Sequence, residues 1–592
     1  MATASLPVGF GCMRLSTDPD RDRERALRTI HAALEGGATL LDTADAYGLD
    51  EADRGHNERL IAEALRTWAG PGSRVTVATK GGLTRPGGRW VPDGRAKHLR
   101  AACEASLRAL GRDRLDLYQL HAPDPRTPLA TSVRALHRLR EEGLVDRIGL
   151  CNVSLRQLRE ARRLAPIDAV QVALSPLDGS TLRTGVPEAC LHGEPPTRLL
   201  GHGPLGGPRR ARRALRDPVL VELASARGVS PARLLLAWWR DLGAVPLPGA
   251  TRAESAADAV AAGALRLPAE ERSALDARIA GARGLRRPRA QQRPAAGLTR
   301  GEVVLIVGLP GAGKSTRARS ELRPGGVRLN RDEAGCTLRT LHRRLDAKLA
   351  GGAPQAVLDN TYGTRAQRSE VIEIAWAHRR SVRCVWMDTP IEQAQVNAVL
   401  RMLERAGRLL EPGELRRGSP DLFGPRVQFR HRDAFEPPEP DEGFDGIARV
   451  PFVRPPWPGE RAAVVFSVEA LAASAEAARD GLADERVERL LEHAGDRPLF
   501  ATAWRPGQAP EDDAALEAGL RHRLRRPALR LLTCRHPAGP PVCWCRKPLP
   551  GLAVRLLLEE GIDPARSLWV GTGAADRRLA AVLGFRFVEP SV

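Results

Sequence analysis

Little in this chain staples it or anchors it. Its 592 residues include nine scattered cysteines, too few for a disulfide scaffold. No run of 18 apolar residues occurs, so no membrane-spanning helix and no membrane partner are expected. The opening MATASLPVGFGCMRLS has neither a basic start nor a long apolar stretch, and it does not read as a secretory signal. A reducing, cytoplasmic setting is the expectation. Aromatics make up 4% of the chain, with three tyrosines in all. Lysine is scarce as well, at five against 86 arginines.

What is present speaks for folded domains. The chain is 42% hydrophobic and 27% charged, which excludes a disordered chain. At about 150 residues per domain, its length suggests three or four domains. The net charge of +20 admits nucleic acid as a partner. A bias toward arginine throughout the chain accounts for the same excess. That bias makes the lysines informative, because a compact ammonium does work that a guanidinium cannot. Lys80, Lys314 and Lys547 fall inside motifs.

Up to about residue 284, helical patterns alternate with short apolar runs. RALRTIHAALEGGA, RLIAEALRTWA, LRAACEASLRALG and VRALHRLREEGLV read as helices; TLLDTADAYG, VTVATKGG, LDLYQLHAP and RIGLCNVS read as strands. Repeated strand–loop–helix units mean a parallel sheet, and this many suggest a (β/α)8 barrel. LRRPRAQQRPAAGLTR, around 285–299, reads as a Pro/Arg-rich linker. VVLIVGLPGAGKST opens a second α/β unit, spanning about 300–455. A third, over 461–592, begins at AAVVFSV and ends with SLWVGTGAADRRLAAVLGFRFV.

Asp42, Tyr47, Lys80 and His121 sit at or just past the ends of three predicted strands, where barrel active sites lie. A carbonyl that receives hydride needs a proton at its oxygen. A tyrosine whose pKa a nearby cation lowers can deliver it. Lys80 is that cation, Asp42 holds it, and His121 positions the oxygen or shares the proton. The segments GFGCMRLS, DTADAYG, ATKGG, DLYQLHAPD, GLCNVSLRQL, QVALSPL, GPLGG and PLPGATRAES follow one another in this order. Through them, residues 1–284 resemble the aldo-keto reductase family. The resemblance implies that Asp42, Tyr47, Lys80 and His121 are the catalytic tetrad. It implies that Asn152 and Gln171 hold the nicotinamide, and that Gly249, Thr251 and Arg252 bind the adenosine phosphate, Arg252 favouring NADP(H). Two positions depart from the family pattern. Cys151 stands where a serine is usual, and Asp258-Ala259 where Glu-Asn is usual.

Gly308, Gly311, Gly313, Lys314, Ser315 and Thr316 follow an apolar strand and precede a helix, the context of a phosphate-binding loop. Lys314 reaches the β and γ phosphates of ATP, and Ser315 holds Mg²⁺. Residues 300–453 resemble polynucleotide-kinase-type P-loop kinases, through VRLNRDE and VLDNTYGTRAQR as well as this loop. The resemblance makes Asp332 the base for the acceptor hydroxyl and gives Asp359 the ordering of Mg²⁺ or its water. In AQVNAVLRMLERAGRLLEPGEL, Asn397 and Arg401 match, but Val396 stands where an arginine is usual.

Cys534, His536, Cys543 and Cys545 form a C-x-H-x6-C-x-C cluster, four soft ligands suited to structural, tetrahedral Zn²⁺. With RKPLPG beside it, the third unit resembles haloacid-dehalogenase (HAD) phosphatases of the zinc-loop, histidinol and heptose bisphosphate branch. The family's first strand ends in Asp-x-Asp; here Ser467 and Glu469 stand there, and Thr572 replaces a later aspartate. A serine without a base cannot replace the attacking carboxylate. Thr502 and Lys547 remain able to bind a phosphoryl group. The implied fold class is a multidomain α/β chain: a TIM barrel, a P-loop NTPase domain and a HAD-like Rossmannoid domain.

Three functions follow. The first is NADP-dependent reduction of a small-molecule aldehyde or ketone, with the tetrad complete. The second is ATP-dependent phosphorylation of a polynucleotide end or small alcohol, with the barrel as cofactor sensor. The third is a nucleotide-binding scaffold without turnover.

Overall fold

The computed structural model describes residues 7–279, 281–294, 301–415, 422–471, 483–539 and 543–590. The chain falls into two compact units, the first built on residues 1–295 and the second on most of 296–592.

The first unit is a closed parallel barrel. Its strands are β1 (Phe10–Gly11), β2 (Leu40–Asp42), β3 (Thr76–Gly81), β4 (Leu115–Leu120), β5 (Val145–Cys151), β6 (Ala169–Ala173), β7 (Arg198–His202) and β8 (Val245–Leu247). Each pairs in parallel with the next. Gly9 and Gly11 then donate to the carbonyls of Pro246 and Pro248, at 3.1 and 2.9 Å, which closes the ring. The four helices expected from periodicity are present as Arg23–Glu35, His56–Thr67, Ala96–Leu110 and Leu129–Glu141. Short-range chemistry sets where others begin. Ser154 and Gln157 form a reciprocal capping box, and Ser230 caps a helix that opens with Pro231. Part of the segment expected to be a linker is helical: Arg289–Gln292 makes one turn, and Arg289 is buried. Its Pro and Arg content hid a local turn that burial stabilises.

Strand alternation builds the barrel interior. Leu40, Ala78, Leu117, Ala169 and Leu200 fill one inward layer. Side chains recur on the same face every second residue. The next inward residues toward the carboxyl ends are therefore Asp42, Lys80, Gln119, Gln171 and His202. An apolar plug supports a polar floor. Gly149 leaves room for it, since a Cβ there would lie 2.9 Å from Gln119 Cγ.

The second unit contains two five-stranded parallel sheets. The first runs in the order Val327–Leu329, Gln355–Asp359, Glu302–Val307, Ser381–Asp388, Gly446–Pro451. The second runs Arg530–Cys534, Leu499–Trp504, Val464–Ser467, Leu568–Val570, Arg586–Val588. In each, the strand first in sequence is central and almost continuously apolar, as burial on both faces requires. One helix that follows the first sheet packs into the core of the second. Val396, Val399 and Met402 of helix Ile391–Ala406 share a buried cluster with Val465, Trp544 and Trp569.

Between the barrel strands and the helix His56–Thr67 lies another buried acidic group. Thr79 Oγ1 donates to Glu58 Oε1 at 2.6 Å. Burial, with the nearby Asp45 charge, pushes the Glu58 carboxyl up to about 7. The folded state therefore holds a proton that the unfolded chain has released. That contribution is complete below the ordinary carboxylate pKa and is lost as pH rises through about 7. Glu58→Gln is expected to flatten the fall in stability between about pH 5 and pH 8, by on the order of a few kcal/mol. Urea unfolding across that range measures it; an unchanged pH slope contradicts the assignment.

Candidate functional site

The carboxyl ends of the barrel strands gather the predicted tetrad. Asp42 ends β2, Lys80 lies near the end of β3, and His121 follows β4. Tyr47 lies on the loop after β2. Lys80 Nζ donates three hydrogen bonds, to Asp42 Oδ2 at 2.8 Å, the Thr43 carbonyl at 2.8 Å and Tyr47 Oη at 3.0 Å. Those are all the protons an ammonium has. The pair is nearly inaccessible, with Lys80 and Asp42 side chains 1% and 5% exposed. The Tyr47 and His121 rings meet edge to face at 5.5 Å.

The electrostatics correct one expectation. Burial pushes the Tyr47 phenol up to about 12; Lys80 pulls it down, and Asp42 pushes it up. The phenol is not acidified, because Asp42 offsets the ammonium's field and a buried phenolate loses its hydration. Burial also opposes the charge on Lys80, yet Asp42, Tyr47 and Cys151 together raise its pKa. Burial, with Lys80 and His202, drives His121 well below its ordinary value, so its imidazole is neutral. Its Nδ1 is buried with no hydrogen-bond partner among the described residues.

These groups open onto a cavity of about 900 Å³. Asn152, Gln171 and Gly249 line it too. Gln171 Nε2 donates to Asp42 Oδ1 at 2.7 Å. Asn152, at φ 56°, occupies the left-handed region that asparagine tolerates. Gly11 and Gly249 keep the rim open, since a Cβ at Gly249 would lie 3.3 Å from the Gly11 carbonyl oxygen. Thr251 and Arg252 precede helix Ala253–Val260, and Arg252 makes no side-chain cap there. Of the two departures from the family pattern, Cys151 donates weakly to Gln119 Oε1 at 3.7 Å, and Asp258 pairs with Arg233 at 2.7 Å.

Three lining residues escaped the sequence reading. His202 ends β7, with Nε2 3.4 Å from Asn152 Oδ1. The hairpin Leu83–Thr84/Val91–Pro92 carries Arg85 and Trp90, whose guanidinium and ring stack at 3.8 Å. The signal for His202 was its place two residues past Leu200, in step with the other polar floor positions.

In the second unit, Gly308, Gly311 and Gly313 all have positive φ, at 157°, 85° and 89°. Gly311 is required on contact grounds as well: a Cβ there would lie 2.4 Å from the Ala394 carbonyl oxygen. Lys314, Ser315 and Thr316 open helix Lys314–Glu321. Lys314 Nζ donates to the Leu309 carbonyl at 2.8 Å. Burial pulls its ammonium down to about 8, against the attraction of Asp359 and Asp332. Asp332 is exposed and bonded by its neighbour Arg331 at 2.9 Å. Asp359 is buried, and its Oδ2 accepts from Arg328 at 2.5 Å and from Asn330 at 3.1 Å. The sequence reading missed Arg328 as Asp359's partner.

In the third predicted unit, Cys534, His536, Cys543 and Cys545 converge, with ligand atoms all within 4.8 Å of one another. The expectation that Ser467 has no base beside it is corrected. Its Oγ donates to Asp576 Oδ1 at 2.6 Å and accepts from Lys547 Nζ at 2.6 Å. Asp576 lies 109 residues away, so no local spacing announced it. Ser467 is fully buried, and the nearby hollow measures about 10 Å³.

Two stretches of the chain match known families. Residues 7–280 match the model of the aldo/keto reductase family, and residues 303–408 match a model described as an AAA domain. The chain thus carries an aldo/keto reductase domain followed by a P-loop domain. An uncharacterized oxidoreductase of Schizosaccharomyces pombe is 35% identical over 169 residues, 28% of this chain and 52% of that protein. The chain therefore spans about half the length of this curated relative. Among solved structures, a glycerol dehydrogenase of Gluconobacter oxydans is 28% identical, with a TM-score of 0.40, covering 46% of this chain and 91% of its own. An aldo/keto reductase of Klebsiella pneumoniae, solved with NADP and acetate, gives the same identity, score and coverage. No described helix is long and apolar enough to cross a membrane.

Breaking the central ion pair has a definite cost. Asp42→Asn leaves the Lys80 ammonium buried without its counter-charge. It is expected to destabilise the barrel by about 3–5 kcal/mol. Chemical denaturation that shows the variant as stable as the wild type removes the pair from this role.

Proposed function

We propose that the barrel reduces an aldehyde or ketone with NADPH. One observation carries this reading: a single buried ammonium bonds both Asp42 and Tyr47, at the wall of a cavity of about 900 Å³. The residues present suit the cofactor. Asn152 and Gln171 offer amide groups to a carboxamide, the Gly11–Gly249 rim admits a flat ring, and the helix start behind Arg252 suits a phosphate. When bound, the nicotinamide supplies hydride. Tyr47 Oη gives its proton to the carbonyl oxygen, and neutral His121 orients that oxygen. Lys80 then stabilises the phenolate left on Tyr47. A phenol raised by burial suits this role, because it stays protonated at neutral pH.

The P-loop domain is read as an ATP·Mg²⁺ site that phosphorylates a small alcohol or a nucleic-acid 5′ hydroxyl. Lys314 and Ser315 serve the phosphates and the metal, Asp332 is the base, and Asp359 orders the metal's water. The glycine loop that leads into Lys314 at a helix start, with buried Asp359 ending the neighbouring strand, supports this second activity. The C-terminal sheet is read as a phosphatase-like module without turnover. Its Ser467 is fully buried and tied to Lys547 and Asp576, which supports a position without turnover. The four-residue cluster fits structural Zn²⁺. The Cys534–Cys543 Sγ–Sγ separation of 3.8 Å and the Sγ–Nδ1 separations of 3.7 Å (Cys534) and 3.3 Å (Cys545) to His536 lie near the tetrahedral edges of about 3.8 and 3.6 Å built from ordinary Zn–S and Zn–N bonds.

NADPH consumption with 4-nitrobenzaldehyde is expected, and it should vanish in Tyr47→Phe. The wild-type rate should stay level from about pH 6 to about 9, because neither Tyr47 nor His121 titrates there. Activity retained by Tyr47→Phe, or a break in rate near pH 6.5, refutes this assignment of roles. Phosphorylation of a 5′-hydroxyl oligonucleotide, lost in Asp332→Asn, tests the kinase reading separately. Binding of both nucleotides without turnover would select a scaffold.

A further inference from the structure

The metal cluster has a partner on a distant part of the chain. His536 Nδ1 faces the sulfurs, 3.3 Å from Cys545 Sγ and 3.7 Å from Cys534 Sγ. Its other nitrogen, Nε2, lies 2.8 Å from Glu411 Oε2. Glu411 is 125 residues away, just beyond the AAA-matched segment. Its side chain is largely exposed, but its backbone is held. Arg408 holds Glu414 through two hydrogen bonds, at 2.6 and 3.0 Å, and Glu414 accepts from the Glu411 backbone N–H at 2.8 Å. A carboxylate on the far nitrogen of a ligating histidine fixes its tautomer and makes it a better donor.

A second anchor lies beside the first. Trp544, between two cluster cysteines, is buried and donates from Nε1 to the Phe423 carbonyl at 2.9 Å. Glu411 and Phe423 follow helix Ile391–Ala406, which braces the phosphate loop. Asn397 Nδ2 donates to the Gly311 carbonyl at 2.8 Å. Gln428 Nε2 bridges the carbonyls of Pro310 and Ala394, at 2.8 and 2.9 Å. The Cys/His cluster, Glu411 and Phe423, the bracing helix (Leu410 N–H donates to Met402 Sδ at 3.4 Å) and the phosphate loop thus form one chain of contacts within the second unit.

We propose that Glu411 is a positioning residue of the zinc site, and that the metal thereby holds the helix that braces the phosphate loop. Nucleotide affinity at Gly308–Ser315 then depends on metal at Cys534–Cys545. This rests on the zinc and phosphate-loop readings above. The full-length protein is titrated with Co²⁺, whose visible absorption reports a tetrahedral thiolate site, and with Zn²⁺ against a chromophoric chelator. Glu411→Ala should keep the Co²⁺ spectrum but weaken Zn²⁺ binding about 10- to 100-fold, with Glu411→Gln intermediate. Chelating the metal should weaken binding of a fluorescent ATP analogue about fivefold or more. Unchanged Zn²⁺ affinity in Glu411→Ala overturns the proposal, as does an ATP-analogue affinity that is the same with and without metal. Wild-type protein that takes up no Co²⁺ faults the zinc reading itself. Protein that binds metal but no nucleotide overturns the coupling together with the phosphate-loop reading.

Discussion

An ammonium ion in the interior of a barrel must be neutralised and fully hydrogen-bonded, or the fold loses more than the site gains. Lys80 meets both conditions with one carboxylate, one carbonyl and one phenol. The geometry of the candidate reductase site follows from that requirement. Asp42 is fixed by Lys80 on one oxygen and by Gln171 on the other, so three strands are tied at their carboxyl ends. Tyr47 is drawn down from its loop to complete the set, and this sets the phenol at the wall of the cavity. Satisfying a buried charge and orienting a proton donor are here the same act.

Three of the five lysines occupy three different environments, and the contrast is instructive. Lys80 is sealed into an ion pair and stays charged. Lys314 is partly buried and bonds a carbonyl of its own loop, and desolvation lowers its pKa. A phosphate would supply the missing counter-charge. Lys547 is bonded to Ser467 and to Asp576, so it too has a carboxylate beside it. In a chain that otherwise uses arginine, each position calls for a compact ammonium that a planar guanidinium cannot replace.

Much of the architecture was legible because it rests on local rules. Alternation along β2, β3, β4, β6 and β7 dictates which residues face inward. The carboxyl-end positions of Asp42, Lys80 and His121 were read correctly from strand patterns. The glycines of the phosphate loop announced positive φ through their spacing. What escaped came from groups distant in sequence or from burial. The raised phenol of Tyr47 depends on how completely the loop covers it. The Arg328 partner of Asp359, and Asp576 beside Ser467, join residues 31 and 109 positions apart. The packing of helix Ile391–Ala406 into the second sheet's core was equally invisible, because the helix reads simply as amphipathic.

The amino-acid sequence alone determined the order of the strands and helices, the inward polar positions at the barrel mouth, the phosphate loop and the Cys/His cluster. All of these are set by periodicity, spacing and the conformational demands of single residues. Only the tertiary structure decided the protonation of Tyr47, the closure of Lys547 over Ser467, and the reach of Glu411 to His536. Those depend on desolvation and on contacts across long separations, which no local pattern records.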